Sequence, residues 1–149
     1  MNLHAQWIVG FVDGEGCFHV SIVKNPTTRT KFQVMPEFVV VQHKRDIKVL
    51  YALKSYFECG TVKKNHDDDD RFSYCVKNYR HLFEIIIPFF EQHKLKTIKR
   101  IDFEKFRYVV QAMMKGEHLT DDGLKKLQKF VKQWRIDKKN HHDIDSDLL

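Results

Sequence analysis

A chain of 149 residues has the length of one domain, and 42% hydrophobic with 31% charged residues is the balance of a soluble globular protein. Lys and Arg number 26 against 20 Asp and Glu, so the net charge of +6 and the pI near 9.2 favour polyanion partners such as nucleic acid. Cys17, Cys59 and Cys75 are odd in number, widely spaced and form no CxxC pair, which excludes a disulfide framework and a cysteine zinc site and points to a reducing compartment. The start of the chain shows no basic region followed by an apolar one, and the longest apolar run, Ile85 to Phe90, is interrupted by Pro88. No signal peptide and no membrane partner are therefore expected. The twelve Phe residues suggest an aromatic core.

In chain order, residues 3–14 read as a helix, with Trp7, Ile8, Phe11 and Val12 at helical spacing. From Cys17 to Val23 the pattern alternates: Phe18, Val20 and Ile22 share one face, His19, Ser21 and Val23 the other. Asn25-Pro26-Thr27-Thr28 is a turn or loop. Residues 32–42 alternate again, Phe32, Val34, Phe38 and Val40 against Gln33, Met35, Glu37 and Val39, and Pro36 within that run predicts an edge position or a bulge. Asp46 is placed to cap a helix with Ile47, Leu50, Leu53 and Phe57 inward, ended by Cys59-Gly60. Strands over 61–65 and 71–77 follow, joined through His66 and four aspartates, Asp67, Asp68, Asp69 and Asp70.

Asn78 is placed to cap a helix over 79–87, which Pro88 restarts. Thr97 precedes a longer helix with Ile101, Phe103, Phe106, Val110 and Met113 inward, closing at Lys115-Gly116. Thr120-Asp121-Asp122 opens a last helix carrying Leu124, Leu127, Phe130, Val131 and Trp134; from Lys138 the chain reads as a polar, frayed tail. Paired strands with helices gathered on one face define an α+β domain with an antiparallel sheet. The second sheet face carries His19, Ser21, Gln33, Glu37, Lys63 and Ser73. Such a face is either simply solvated or reads a DNA groove, and the pattern leaves both open.

The informative segment runs from Trp7 to Gly16. Gly10 and Gly14, four apart, lie on one side of the helix; each costs about 1 kcal/mol against alanine, so the pair suggests close approach of a second helix. Glu15 follows at the helix C-terminus, where the helix dipole disfavours a carboxylate. A divalent cation reverses that sign, and Mg²⁺ prefers hard oxygen ligands of this kind. If the glycine face packs on its symmetry mate, two Glu15 residues meet near the dyad in an arrangement suited to phosphodiester hydrolysis. The alternative is a tight helix-to-turn junction with glycine C-caps and a solvated Glu15.

The run Ile8-Val9-Gly10-Phe11-Val12-Asp13-Gly14-Glu15-Gly16 resembles the motif of the LAGLIDADG homing endonucleases in its G-F-x-D-G-[DE]-G form. The likeness extends to a strand ending at Gln42, a helix ending in Ile87-Pro88-Phe89-Phe90 and the segment Leu95 to Arg100, covering roughly residues 3–115 in the family's αββαββα order. The resemblance implies a core over about 3–115 whose antiparallel sheet forms a DNA-binding saddle; residues 116–149 match no motif of the family, and their pattern gives a C-terminal helical extension over about 116–138 and a tail over 139–149. It implies Glu15 and the Gly14 carbonyl as ligands of Mg²⁺, with Mn²⁺ also accepted and Ca²⁺ as a non-catalytic substitute. Asp13 then matches a structural acid, Gln42 helps position water, and a lysine, Lys99 in preference to Lys96, stabilises phosphate charge.

One motif in 149 residues implies a homodimer joined through Trp7, Gly10, Phe11 and Gly14, cutting a near-palindromic double-stranded site with a staggered break. The expected DNA-facing residues are His19, Ser21, Asn25, Arg29, Gln33, Glu37, Lys63, Asn65, Arg71, Ser73 and Lys77, with Val39 and Cys75 at the same parity suited to thymine methyls. The setting implied is intracellular, in an organelle or a bacterial cytoplasm, with intron RNA as a further partner. The rival functions are an RNA-splicing maturase and a non-catalytic DNA-binding regulator on the same fold. The four-aspartate run lacks EF-hand spacing and reads as a solvated turn; His141-His142 read as tail residues. No GxSxG, HExxH or P-loop occurs.

Overall fold

The computed structural model describes residues 1–148, with side chains described for all of these except 68, 69 and 141–148. Helix α1 (Ala5–Glu15) passes without a loop into β1 (Gly16–Lys24), which turns back as β2 (Phe32–His43). Helix α2 (Ile47–Phe57) leads to β3 (Thr61–Asn65) and β4 (Asp68–Val76). The strands form one antiparallel sheet in the order β1-β2-β4-β3. A helical rod follows: α3 (Tyr79–His81), a π turn over Leu82–Ile86 and α4 (Ile87–Gln92). Then come α5 (Lys99–Met114) and α6 (Asp121–Leu148). This is the expected α+β architecture.

One continuous core lies between the sheet and the helices. Val20, Phe38, Val40 and Tyr74 come from the strands, Ile8 and Val12 from α1, Leu50 and Leu53 from α2, and Phe106 and Val110 from α5. Phe18 sits at its aromatic centre, with the Phe38, Phe90, Phe103 and Phe106 ring centroids 5.0–5.5 Å away. Leu124, Leu127, Val131 and Trp134 of α6 complete the same core. Trp134 also donates its indole N–H to Asp102 at 2.8 Å.

Pro36 behaves as an uncovered-edge residue although β2 is a central strand. Pairing with β4 begins only at Phe38 opposite Val76, so Pro36 has a neighbour in β1 alone. Its missing N–H therefore costs no ladder bond. The π turn lies directly upstream of Pro88, whose ring clashes with an i−4 carbonyl; widening the turn there lets the rod run on through 79–92 instead of restarting.

Several local expectations are corrected. Asp46 makes no side-chain cap; His43 Nδ1 accepts from Arg45 N instead, before a 3₁₀ turn over Lys44–Asp46. The left-handed residue ending α2 is Glu58, at φ 56°, with Gly60 following at φ 88°. β4 starts at Asp68, so the turn is shorter than the aspartate run, and Asp70 pairs with Lys44 at 2.8 Å. Ile101 is 42% exposed because it lies two residues, about 200° of helix, before buried Phe103; Val109 and Ala112 are buried instead. The backbone of α6 stays helical to Leu148, past the expected end near 138, since neither Gly nor Pro follows Gly123 to stop it. The side chains of His141 and His142 lie outside the described residues.

Candidate active site and nucleic-acid interface

Ile8, Val9 and Val12 turn α1 toward the core, and its opposite face is bare. Trp7 is 45% exposed and stacks on Phe11 at 4.8 Å. Gly10 and Gly14 are exposed, and a Cβ on either meets nothing within 4 Å. Among the described residues nothing requires glycine at these two positions. The glycine the local fold does require is Gly16, the C-cap, where a Cβ would stand 2.7 Å from the Val12 side chain.

Glu15 ends α1, exposed and without a hydrogen bond or ion pair among the described residues. Around it three polar groups are fixed. Asp13 accepts from Lys96 N at 2.9 Å, Thr97 N at 3.2 Å and the Thr97 hydroxyl at 2.7 Å, capping the approach to α5 from another helix. Burial raises its pKa, but these donors outweigh that effect and hold the carboxyl below the usual value. Lys99 donates from Nζ to the Val12 carbonyl at 3.1 Å, at the negative end of the α1 dipole. Burial lowers its pKa against the opposing fields of Cys17, Asp13, Asp102 and Glu15. Lys96 is exposed and reaches this cluster only through its backbone N–H. Of the two candidate lysines, Lys99 therefore brings its ammonium to the end of α1.

Gln42 lies at the end of β2. Val40 pairs with Gly16 at the α1–β1 junction, and Gln42 follows two residues on; its amide donates to the Val41 carbonyl at 2.8 Å. The donor set at the junction is hard oxygen: the Glu15 carboxylate and the free carbonyls of a helix end. Among the described residues no three His, Cys, Asp or Glu side chains converge, so one protomer does not by itself make a full amino-acid ligand cage. The set fits Mg²⁺, which uses one or two carboxylates and takes its remaining oxygens from water and phosphate.

On the sheet's outer face, Glu37 is a junction between strands. It pairs with His19 Nε2 at 3.1 Å and Lys77 Nζ at 3.4 Å, and its side chain is only 17% exposed. Asn25 Oδ1 closes the β1–β2 loop by accepting from the Thr27 amide and hydroxyl, while its amide donates to Gln33 at 3.2 Å. Gln33, Lys63 and Arg71 are exposed, and Ser21 and Asn65 half-buried. Ser73 and Cys75 share the expected parity but are each 4% exposed, because β4 is flanked by β2 and β3; neither presents a surface group. Arg29 turns away to the start of the extension, donating to the Leu119 carbonyl and lying 3.7 Å from Asp121. A groove of about 450 Å³ runs beside the uncovered edge of β2, between Pro36, Tyr79 and Leu119, away from Glu15.

Sequence reasoning missed the partners of these groups. Asp13 and Thr97 are 84 positions apart, and the only local hint was Thr97 standing two residues before Lys99, as a helix cap does. Nothing local signalled the clasp of Arg29 by Leu119.

The family described as LAGLIDADG endonuclease matches residues 8–110. Probable intron-encoded endonuclease 2 of Neurospora crassa is 33% identical over 127 residues, 85% of this chain but 28% of that protein's length. Among solved structures, the homing endonuclease I-TnaI superposes with a TM-score of 0.84 at 50% identity, covering 89% of this chain and 88% of that one. I-SmaMI, solved bound to an uncleaved DNA target in the presence of calcium ions, gives 0.83 at 36% identity over 87% of this chain and 44% of its own. The chain thus spans under a third of the fungal relative and under half of I-SmaMI, and it carries the motif once, at Gly10 to Gly16. With the αββαββα order, the Glu15 junction and the family match over two thirds of its length, this chain belongs to the LAGLIDADG endonuclease family.

Proposed function

We propose that the chain is a site-specific DNA endonuclease that acts as a homodimer and uses Mg²⁺. The observation that carries this reading is the α1–β1 junction: an unpartnered Glu15 beside a helix face with two exposed glycines that its own fold does not need. A second copy packed on that face brings its Glu15 to the dyad, completing in two chains the oxygen set one chain lacks. Glu15 and the Gly14 carbonyl would hold the cation. A divalent cation there supplies Lewis acidity and charge neutralisation at the scissile phosphate. Gln42 orients water by hydrogen bonding, and the Lys99 ammonium, held at Val12, stabilises phosphate charge.

The outer sheet face lies in the major groove, with His19, Ser21, Asn25, Gln33, Glu37 and Asn65 reading base edges and Lys63, Arg71 and Lys77 holding phosphates. The DNA-bound state of I-SmaMI and the intron-encoded name of the fungal relative support this reading and an intracellular setting. No described helix is long and apolar enough to cross a membrane.

The test is cleavage of intron-insertion-site duplexes with Mg²⁺, beside Glu15→Gln. Wild type should cut both strands, and Glu15→Gln should bind the duplex but lose at least about 100-fold in rate, the scale of removing one charge-stabilising group. Equal cutting by both proteins would refute the role of Glu15.

A further inference from the structure

Helix α6 lies wholly beyond the segment matched to the family, and residues 121–140 carry seven Lys and Arg against three Asp. Three contacts fix how this helix is turned. Phe130 packs against Tyr108, ring centroids 4.4 Å apart, and Asp137 pairs with Lys105 at 2.9 Å, so that flank faces α5. On the other flank, Arg135 donates to the Val20 carbonyl at 3.0 Å.

Val20 is on β1, the outer strand of the sheet. The bond from Asn25 N to Lys31 O makes that pair hydrogen-bonded, and antiparallel alternation then points the backbone groups of Val20 outward, away from β2. Arg135 thus marks the flank of α6 that borders the open edge of the sheet. At its other end α6 starts beside the tip of the β1–β2 hairpin, where Arg29 meets Leu119 and Asp121. Farther along it, His19 of the outer face and Lys138 line one small cavity.

Lys125, Lys132 and Lys139 repeat every seven residues and so share one stripe about 21 Å long, some 60° around the helix from Arg135. Lys129 lies beside it. All four are exposed, and none has an acidic partner among the described residues. Two other cations of α6 are engaged: Arg135 with Val20 and Lys138 with Asp102 at 3.7 Å.

We propose that Lys125, Lys129, Lys132 and Lys139 form a phosphate-binding rail that extends the DNA footprint past the edge of β1. This rests on the reading that the sheet's outer face binds duplex DNA. A sheet seated in a major groove has the two phosphate strands along its edges, and a row of unpaired ammonium groups bordering one edge meets one of them. Duplex RNA is not the fit, because its narrow A-form major groove does not admit the sheet.

The experiment measures binding of wild type and of Lys125→Gln/Lys129→Gln/Lys132→Gln to a target duplex, an unrelated DNA duplex and an RNA duplex, from 50 to 200 mM KCl. These are solvent-facing helix positions where glutamine keeps helix propensity. The log–log salt slope on DNA should become shallower by about 0.9 for each phosphate no longer neutralised, affinity should fall alike for target and unrelated DNA, and arginine at the three sites should restore both. Wild-type slopes retained by the glutamine variant, with wild type binding DNA, would overturn the rail alone. An effect confined to RNA would also overturn it. Wild type failing to bind any duplex DNA would overturn both the rail and the function it rests on.

Discussion

At the α1–β1 junction polar side chains are fastened mainly to backbone: Asp13 to the amides of Lys96 and Thr97 besides the Thr97 hydroxyl, Lys99 to the Val12 carbonyl, Gln42 to the Val41 carbonyl. On the outer face of the sheet they are fastened mainly to one another, His19 and Lys77 to Glu37 and Asn25 to Gln33 besides the Thr27 amide. A backbone partner stays put when neighbouring residues change, so the junction keeps its geometry through sequence drift. A side-chain partner changes with either residue, so the face can be rewritten pair by pair. The first arrangement suits fixed chemistry on every phosphate; the second suits reading one particular site.

The largest expected effect separates the two regions by breaking the junction alone. Gly10→Leu adds a side chain to the bare face of α1 and should weaken self-association by at least about 1–3 kcal/mol, the cost of overpacking a close interface. Sedimentation should show monomers, the thermal unfolding temperature of the protomer should not fall, because a Cβ at position 10 meets nothing within 4 Å and leucine removes the helix cost of glycine, and cleavage should be abolished while half-site DNA binding persists. A dimer of wild-type affinity would remove α1 from the interface.

A smaller effect tests the electrostatics of the junction. Burial lowers the Lys99 pKa, so as pH rises it loses its proton earlier than a free lysine would. Cleavage that needs the ammonium should then fall on an alkaline limb below pH 10.5, and Lys99→Arg, which stays charged, should move that limb upward. Coincident limbs in the two pH–rate profiles would show that Lys99 does not act through its charge. The smallest effect belongs to the face. Glu37→Gln releases Lys77 and His19, so the salt dependence of DNA binding should steepen by about 0.9, one further phosphate neutralised, with poorer discrimination between target and unrelated duplexes. An unchanged slope would mean Lys77 already meets phosphate while paired.

The elements were legible wherever periodicity was clean. The alternation of 17–23 and 32–42 marks both faces of β1 and β2, and Pro36 announces an uncovered edge. The motif from Gly10 to Gly16 announces the junction, since bare glycines and a terminal acid are unusual in any helix. The rest depends on distance in sequence. Whether Lys96 or Lys99 turns inward is set by how Asp13 pins residues 96 and 97 from more than 80 positions away. Burial of Ser73 and Cys75 follows from β4 lying between β2 and β3, a strand order alternation does not encode. Arg29 reads as a free cation in the sequence because its partner, the Leu119 carbonyl, is a backbone atom of the extension.

The central claim is that two copies of α1 bring their Glu15 carboxylates together around divalent metal. The most direct measurement is the separation of the two Glu15 side chains in a crystal of the protein with duplex DNA and Ca²⁺. The account predicts both carboxylates at the dyad, ligating cations beside the scissile phosphates and about 4 Å apart if two are bound. Glu15 far from its counterpart, with metal held by other residues, would contradict it.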